Sequence, residues 1–142
     1  MKQYTVNGKT IVFGTFEELN VLKGHLCYTA VTQDLINKDI YYIAYDKYFT
    51  KLSPTSQKFL IYHEIGHIEN GDFEINNIPD INKMNLYRIF GITNKVEFKA
   101  DEFAINKTGK KAALRCFIEM KQKNYRTNLM DLINRAIAVI FW

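Results

Sequence analysis

The sequence predicts an α+β fold in which a small, mainly antiparallel sheet packs on a helical layer. Two observations lead to this expectation. Short runs rich in β-branched and aromatic residues, separated by turn residues, occupy the chain before residue 46. Helix-start signals and longer segments without Gly or Pro follow. With 142 residues, 47% of them hydrophobic, the chain can bury one core, so we expect a single domain over residues 1–142.

The chain is expected to open with a β-hairpin. Residues 4–6 and 10–13 flank Asn7-Gly8, the dipeptide most typical of a two-residue hairpin turn. Thr15 and Glu18 then have the spacing of a capping box, which predicts a short helix after the hairpin. Two further strands are predicted, at residues 26–32 and at Ile40–Tyr45.

The most informative stretch is His63-Glu64-Ile65-Gly66-His67. Positions i and i+4 of an α-helix lie on one face, so His63 and His67 can bind one metal ion. Glu64 lies beside them and can act as the general base that takes a proton from a metal-activated water. The alternative is a pair of ordinary polar residues at the edge of a core.

The residues around this motif predict a helix over residues 54–70. Ser53 is suited to the N-cap, Pro54 to the first helical position and Gly71 to the position after the helix. A mostly apolar run leads into His63, which indicates a buried helix with a polar functional stripe. This context favours the metal site over coincidence.

A catalytic zinc ion needs a third protein ligand. His25 lies in a strand-like segment and is better explained as a core or surface residue. Glu97 is the better candidate, on a second helix that Thr93 or Asn94 would open.

Asp101 lies one turn after Glu97 on the same helical face. It is expected either to hydrogen-bond a ligand imidazole or to be a solvated carboxylate. Ala100 and Ala104 are small enough to let two helices approach closely, and Glu102 is expected in solvent.

The motif His63-Glu64-Ile65-Gly66-His67, followed by Glu97-Phe98-Lys99-Ala100-Asp101-Glu102-Phe103-Ala104, resembles the gluzincin metallopeptidases. Over about residues 40–105 the chain is similar to the small ImmA/IrrE-like bacterial and phage proteins, and the second motif is equally similar to minigluzincins and HtpX-type peptidases. The resemblance implies a zincin-like fold and Zn²⁺ as the cofactor. It also implies that His63, His67 and Glu97 bind zinc, that Glu64 is the general base and that Asp101 supports a ligand.

The activity that this resemblance implies is zinc-dependent hydrolysis of a peptide bond, with narrow specificity for a regulatory protein such as a phage or mobile-element repressor. The strand at Ile40–Tyr45 would be the edge that binds an extended peptide, or simply a core strand. The alternative function is a non-catalytic, zinc-containing protein-interaction module. No helix-turn-helix is recognisable in the sequence, and this argues against a role linked to transcription.

The net charge of +4 comes with two basic runs, residues 107–111 and 121–126. Such runs are most often solvated helix ends, so nucleic-acid binding is not expected. Two cysteines, Cys27 and Cys116, are too few for a disulfide framework, and the N-terminus does not resemble a signal peptide, so we expect a cytoplasmic protein.

The apolar C-terminal segment, residues 132–142, is interrupted by Arg135 and too short to span a bilayer. We expect a last helix packed on the core, with a dimer contact or a peripheral membrane contact as lesser alternatives. The oligomeric state is not predicted.

Overall fold

The computed structural model describes residues 1–21, 28–73, 94–124 and 127–141. In these residues it contains one four-stranded sheet, four α-helices and a short 3₁₀ turn at Phe49–Lys51. The strands are β1 (Lys2–Val6), β2 (Lys9–Thr15), β3 (Thr29–Gln33) and β4 (Ile40–Tyr45). The helices are α1 (Pro54–Glu69), α2 (Asn94–Thr108), α3 (Lys110–Lys123) and α4 (Leu129–Ile140). The predicted α+β class is confirmed.

The sheet has the strand order β1-β2-β4-β3. Its outer pairs, β1 with β2 and β3 with β4, are antiparallel, whereas the central pair β2 with β4 is parallel. β4 is therefore an inner strand, so the expectation that it forms the peptide-binding edge is wrong and the alternative, a core strand, is confirmed. The side chains explain its position, because Tyr41, Ile43 and Ala44 are all buried and an edge strand would leave more of them in solvent.

The predicted hairpin forms at Asn7 and Gly8. Both residues have positive φ, 50° and 78°, as a type I′ turn requires. The observed strands β1 and β2 extend the predicted ones by two residues or fewer at each end.

The predicted short helix after Thr15 is wrong, although its capping box forms. Thr15 N donates to Glu18 Oε1 at 3.1 Å, and Glu18 N donates to Thr15 Oγ1 at 3.0 Å. Leu19 N then bonds Thr15 O, but Asn20 takes a positive φ of 54° and reverses the chain. The capping box thus closes a turn and no helix follows it.

The strand predicted at residues 26–32 is observed as β3, Thr29–Gln33. Leu26 and Cys27 lie outside the described residues, as does His25. The other cysteine, Cys116, is a free and fully buried thiol whose pKa burial raises to about 12.

Helix α1 begins and ends where its sequence predicts. The Ser53 side chain accepts a hydrogen bond from Ser56 N, and Pro54 takes the first helical position. Glu119 of α3 accepts bonds from Ser53 N and Ser53 Oγ, both at 2.8 Å, and so fixes the start of α1 to its neighbour. At the other end Asn70 is the C-cap and Gly71 has φ +72°.

The hydrophobic core packs against α1 on two sides. Phe59 and Leu60 pack with Cys116 and Phe117 of α3 in the larger cluster. Ile68, near the end of α1, packs with the sheet through Ile43 and its neighbours in the smaller cluster. Because both clusters include α1, the helix is held in one position between the sheet and the other helices.

Helices α1 and α2 pack closely at Gly66. A Cβ atom there would lie 3.0 Å from Ala100 O and 3.0 Å from Phe103 Cβ. Ala100 and Ala104 have no exposed surface. The expectation that small residues let the two helices meet is confirmed.

No helix in the described part of the chain is both long and apolar enough to cross a membrane.

We predict that Gly66→Ala lowers the free energy of unfolding, because the added methyl group meets backbone atoms of α2 that cannot move aside. Overpacking of this kind costs about 1–3 kcal/mol, which outweighs the roughly 1 kcal/mol that Ala gains over Gly in a helix. Urea denaturation of the metal-free protein measures the difference. Lys58→Ala, at an exposed site on the same helix, is the control and should change stability by ~0.5 kcal/mol or less. A Gly66→Ala variant more stable than the wild type would contradict the packing argument.

Candidate metal centre

Helices α1 and α2 bring the three predicted ligands together. We call His63, His67 and Glu97 the ligand triad. The Nε2 atoms of the two histidines lie 3.2 Å apart, and Glu97 Oε2 lies 2.9 Å from His63 Nε2 and 3.6 Å from His67 Nε2. Among the described residues, this triad is the group of His, Cys, Asp and Glu side chains that converges closely enough to hold one ion.

The spacing of the three atoms fits a zinc ion. A tetrahedral ion bound at about 2.1 Å holds its ligand atoms roughly 3.4 Å apart. All three distances in the triad are within about half an ångström of that value. Imidazole and carboxylate ligands accept other divalent ions too, so the spacing fits zinc but does not single it out.

Each ligand imidazole is oriented by a carboxylate on its other nitrogen. His63 Nδ1 lies 2.7 Å from Asp101 Oδ1, and His67 Nδ1 lies 2.8 Å from Asp72 Oδ2. A carboxylate at Nδ1 keeps the proton on that nitrogen and leaves Nε2 to bind a metal. This arrangement is what a preformed metal site needs.

Asp101 also binds Arg135 of α4. Arg135 Nε donates to Asp101 Oδ2 at 2.8 Å and its Nη2 donates to Oδ1 at 2.6 Å, a bidentate pair buried under α4. Burial tends to raise the pKa of Asp101, but the Arg135 charge outweighs this and lowers that pKa to about 2. Asp101 is therefore ionised at neutral pH and serves as a permanent acceptor for His63.

The metal-free triad holds protons. Burial tends to lower the pKa of His63, but hydrogen bonds to Asp101 and Glu97 raise it to about 10. Burial tends to raise the pKa of Glu97, yet its hydrogen bonds to His63 and His67 bring that pKa well below the usual value. These shifts favour a protonated His63 beside ionised carboxylates when no metal is bound, so a cation that binds here competes with a proton.

Glu64 is buried beside the triad, with 6% of its surface exposed. Thr29 of β3 donates from Oγ1 to Glu64 Oε1 at 2.9 Å. This hydrogen bond fixes the carboxylate between the sheet and α1.

One side of the triad faces solvent. The side chains of His63 and His67 are 5% and 11% exposed, whereas that of Glu97 is 46% exposed. A structural zinc site is closed by four protein ligands, while a catalytic one keeps a position open to water or substrate. Among the described residues three side chains converge and Glu97 is partly exposed, which matches the open kind.

Three residues of the site were not found from the sequence. Asp72 is one of them, and a signal for it existed. Gly71 reverses the chain after α1. Asp72 N then donates a hydrogen bond to His67 O at 3.1 Å, and this places Asp72 beside His67. Arg135 also had a signal, as the lone cation in an apolar helix. The contact between Thr29 and Glu64 joins residues 35 positions apart, and no sequence signal indicated it.

The two expectations for the second helix have different outcomes. Glu102 is exposed, as expected. Nothing is described of the side chain of Asn94, and Thr93 lies outside the described residues, so the choice between them as the residue that opens α2 stays a prediction.

Comparison of the chain with protein-family profiles, with curated proteins and with solved structures gives no significant match.

We predict that zinc affinity keeps rising above pH 7. His63, with a pKa near 10 in the metal-free protein, must lose a proton when zinc binds, so affinity should increase up to about tenfold per pH unit between pH 7 and 9. The same shift stabilises the metal-free fold below pH 6.5, and this contribution is lost as the pH rises through about 10. Competition with a chelator of known pH dependence measures the affinity. An affinity that is flat above pH 7, as for histidines with ordinary pKa values, would contradict the proton-sharing triad.

Proposed function

We propose that this protein is a zinc-dependent metallopeptidase that hydrolyses a peptide bond. The observation that carries the proposal is the ligand triad with one open side, next to the buried carboxylate of Glu64. Three protein ligands, an open position and an adjacent base are the parts that metal-assisted hydrolysis requires.

Zinc in the triad would supply Lewis-acid activation of water and of the substrate carbonyl. The chain supplies the rest of the chemistry. Glu64 accepts the proton of the attacking water and returns it to the leaving amine, a role typically worth about 10²- to 10⁴-fold in rate. Since Thr29 bonds Oε1, we assign the proton to Oε2.

The substrate peptide is proposed to lie along β3. In the described part of the chain β3 is an edge strand, paired only with β4, and its first residue Thr29 bonds Glu64. An extended peptide that adds to this edge would run past the general base, with its main chain held by strand hydrogen bonds. This assignment replaces β4, which is an inner strand.

The narrow specificity and the repressor-type regulatory substrate are proposals that rest on the resemblance to ImmA/IrrE-like proteins. The cytoplasmic location is a proposal that rests on the low cysteine count and the N-terminal sequence. The non-catalytic interaction module is the competing proposal. It requires the same zinc site, but in it Glu64 transfers no proton. The role of Glu64 therefore distinguishes the peptidase from the interaction module.

We predict that Glu64→Gln abolishes peptide cleavage and leaves zinc binding intact. The introduced amide keeps the shape of the side chain and accepts the Thr29 hydrogen bond, but it cannot take a proton. The zinc-loaded wild type and variant are incubated with a proteome-derived peptide library, and new termini are counted by mass spectrometry. Cleavage should fall by about 10²- to 10⁴-fold at an unchanged zinc content.

The matched control is Glu102→Gln, the same chemical change at an exposed carboxylate of α2, which should cleave like the wild type. Equal cleavage by Glu64→Gln and the wild type would remove Glu64 from the mechanism. A wild type that holds zinc and cleaves no peptide would instead favour the interaction module.

A further inference from the structure

Helix α4 is apolar on two opposite faces. One face is buried against the rest of the protein through Leu132, Arg135 and Val139. The other face is exposed over the whole length of the helix. Its six residues, which we call the α4 stripe, are Leu129 (51% exposed), Met130 (64%), Ile133 (38%), Ile137 (48%), Ile140 (59%) and Phe141 (85%).

The α4 stripe is large for a protein surface without a partner. Taking about 200 Å² for each fully exposed large apolar side chain, the six residues expose roughly 700 Å². The largest apolar patch of a typical monomer is about 300–600 Å², and a stable interface buries about 800 Å² on each partner. The area is therefore close to what one side of a dimer needs.

The residues of the α4 stripe are spaced symmetrically about position 135. Ile133 and Ile137 lie two residues on either side of it, Met130 and Ile140 five residues, and Leu129 and Phe141 six residues. At 100° per residue, the five residues within α4 point within about 60° of the direction opposite to the Arg135 side chain, and Phe141 is the C-cap that follows them. The steps of three and four residues from Met130 to Ile140 are those of a helix that packs along another helix.

This symmetry fits a second copy of the same helix running in the opposite direction. A two-fold axis over position 135 would place Ile133 against Ile137 of the second copy, Met130 against Ile140 and Leu129 against Phe141. Each pair of contacting residues then occurs twice, with the two copies exchanging roles, as a two-fold interface requires. A partner of another kind would not need the spacing to be symmetric.

The charges on α4 argue against a membrane surface. Helices that lie on membranes carry Lys and Arg beside their apolar face. The exposed charged residue of α4 is Asp131, and its one basic residue, Arg135, is buried in the pair with Asp101. An acidic flank disfavours contact with anionic lipid.

We propose that the protein forms a two-fold symmetric dimer in which the α4 stripes of two copies pack antiparallel. The dimer would cover the outer face of α4. The inner face of the same helix carries Arg135, which binds Asp101, and Asp101 in turn orients His63. Association would thus brace the support of the metal centre without touching its open side.

The first test is sedimentation velocity of the wild type at about 100 μM, with and without zinc. We expect a dimer, and we expect Ile133→Lys and Ile137→Glu each to raise the dissociation constant about tenfold or more, because each places charges in an apolar interface. Asn106→Lys, which adds the same charge at an exposed site on α2, should leave the dimer unchanged. Both α4 sites are on the surface, so far-UV circular dichroism should show folded variants.

The second test is to mix the Ile133→Lys and Ile137→Glu variants. In the antiparallel arrangement the introduced lysine of one chain meets the introduced glutamate of the other, while the unchanged Ile137 and Ile133 meet at the second contact. We therefore expect the mixture to form heterodimers at a concentration where each variant alone is monomeric. This recovery would not follow from a parallel arrangement or from a contact elsewhere.

A wild type that is monomeric at about 100 μM would overturn the proposal. A dimer that survives both substitutions, or variants that do not recover on mixing, would also overturn it. A monomer that sediments with vesicles of zwitterionic and anionic phospholipid would assign the α4 stripe to a membrane surface instead.

Discussion

The close packing of α1 against α2 is the constraint on which the rest of the site depends. Two ligands of the triad lie on α1 and the third on α2, thirty residues after His67. At Gly66 the two backbones are separated by less than the space that a methyl group needs. Because the helices are this close, the Glu97 carboxylate reaches both imidazoles, and a larger residue at 66 or 100 would separate the ligands.

A second layer of charge holds the ligands in their orientation. Asp101 lies between His63 and Arg135, and Asp72 lies against His67. Burying such groups costs desolvation energy, and apolar residues in their place would often be as stable. The gain is geometric, because each carboxylate selects the histidine tautomer whose Nε2 faces the other ligands. The network therefore serves the geometry of the triad more than stability.

The parts of the fold that were predictable from sequence are those set by local chemistry. The turn at Asn7-Gly8, the start of α1 at Ser53 and its end at Gly71 all follow from the conformations that these residues prefer. The pairing of His63 with His67 followed from their i, i+4 spacing, whereas the choice of Glu97 also used the resemblance to gluzincins. The position of β4 inside the sheet and the role of Thr29 depend on contacts between distant segments, which no local pattern encodes. The capping box at Thr15 shows the converse, since the correct local hydrogen bonds formed without the helix they usually begin.

The most direct test of the account is the zinc content of the purified protein, measured by elemental analysis for the wild type, Glu97→Ala and the exposed-site control Glu102→Ala. The account predicts about one zinc per chain in the wild type and the control, and a strong loss in Glu97→Ala, because two histidines alone make a weak site. A wild type that binds no zinc even when zinc is added, or a Glu97→Ala variant that binds it as well as the wild type does, would contradict the account.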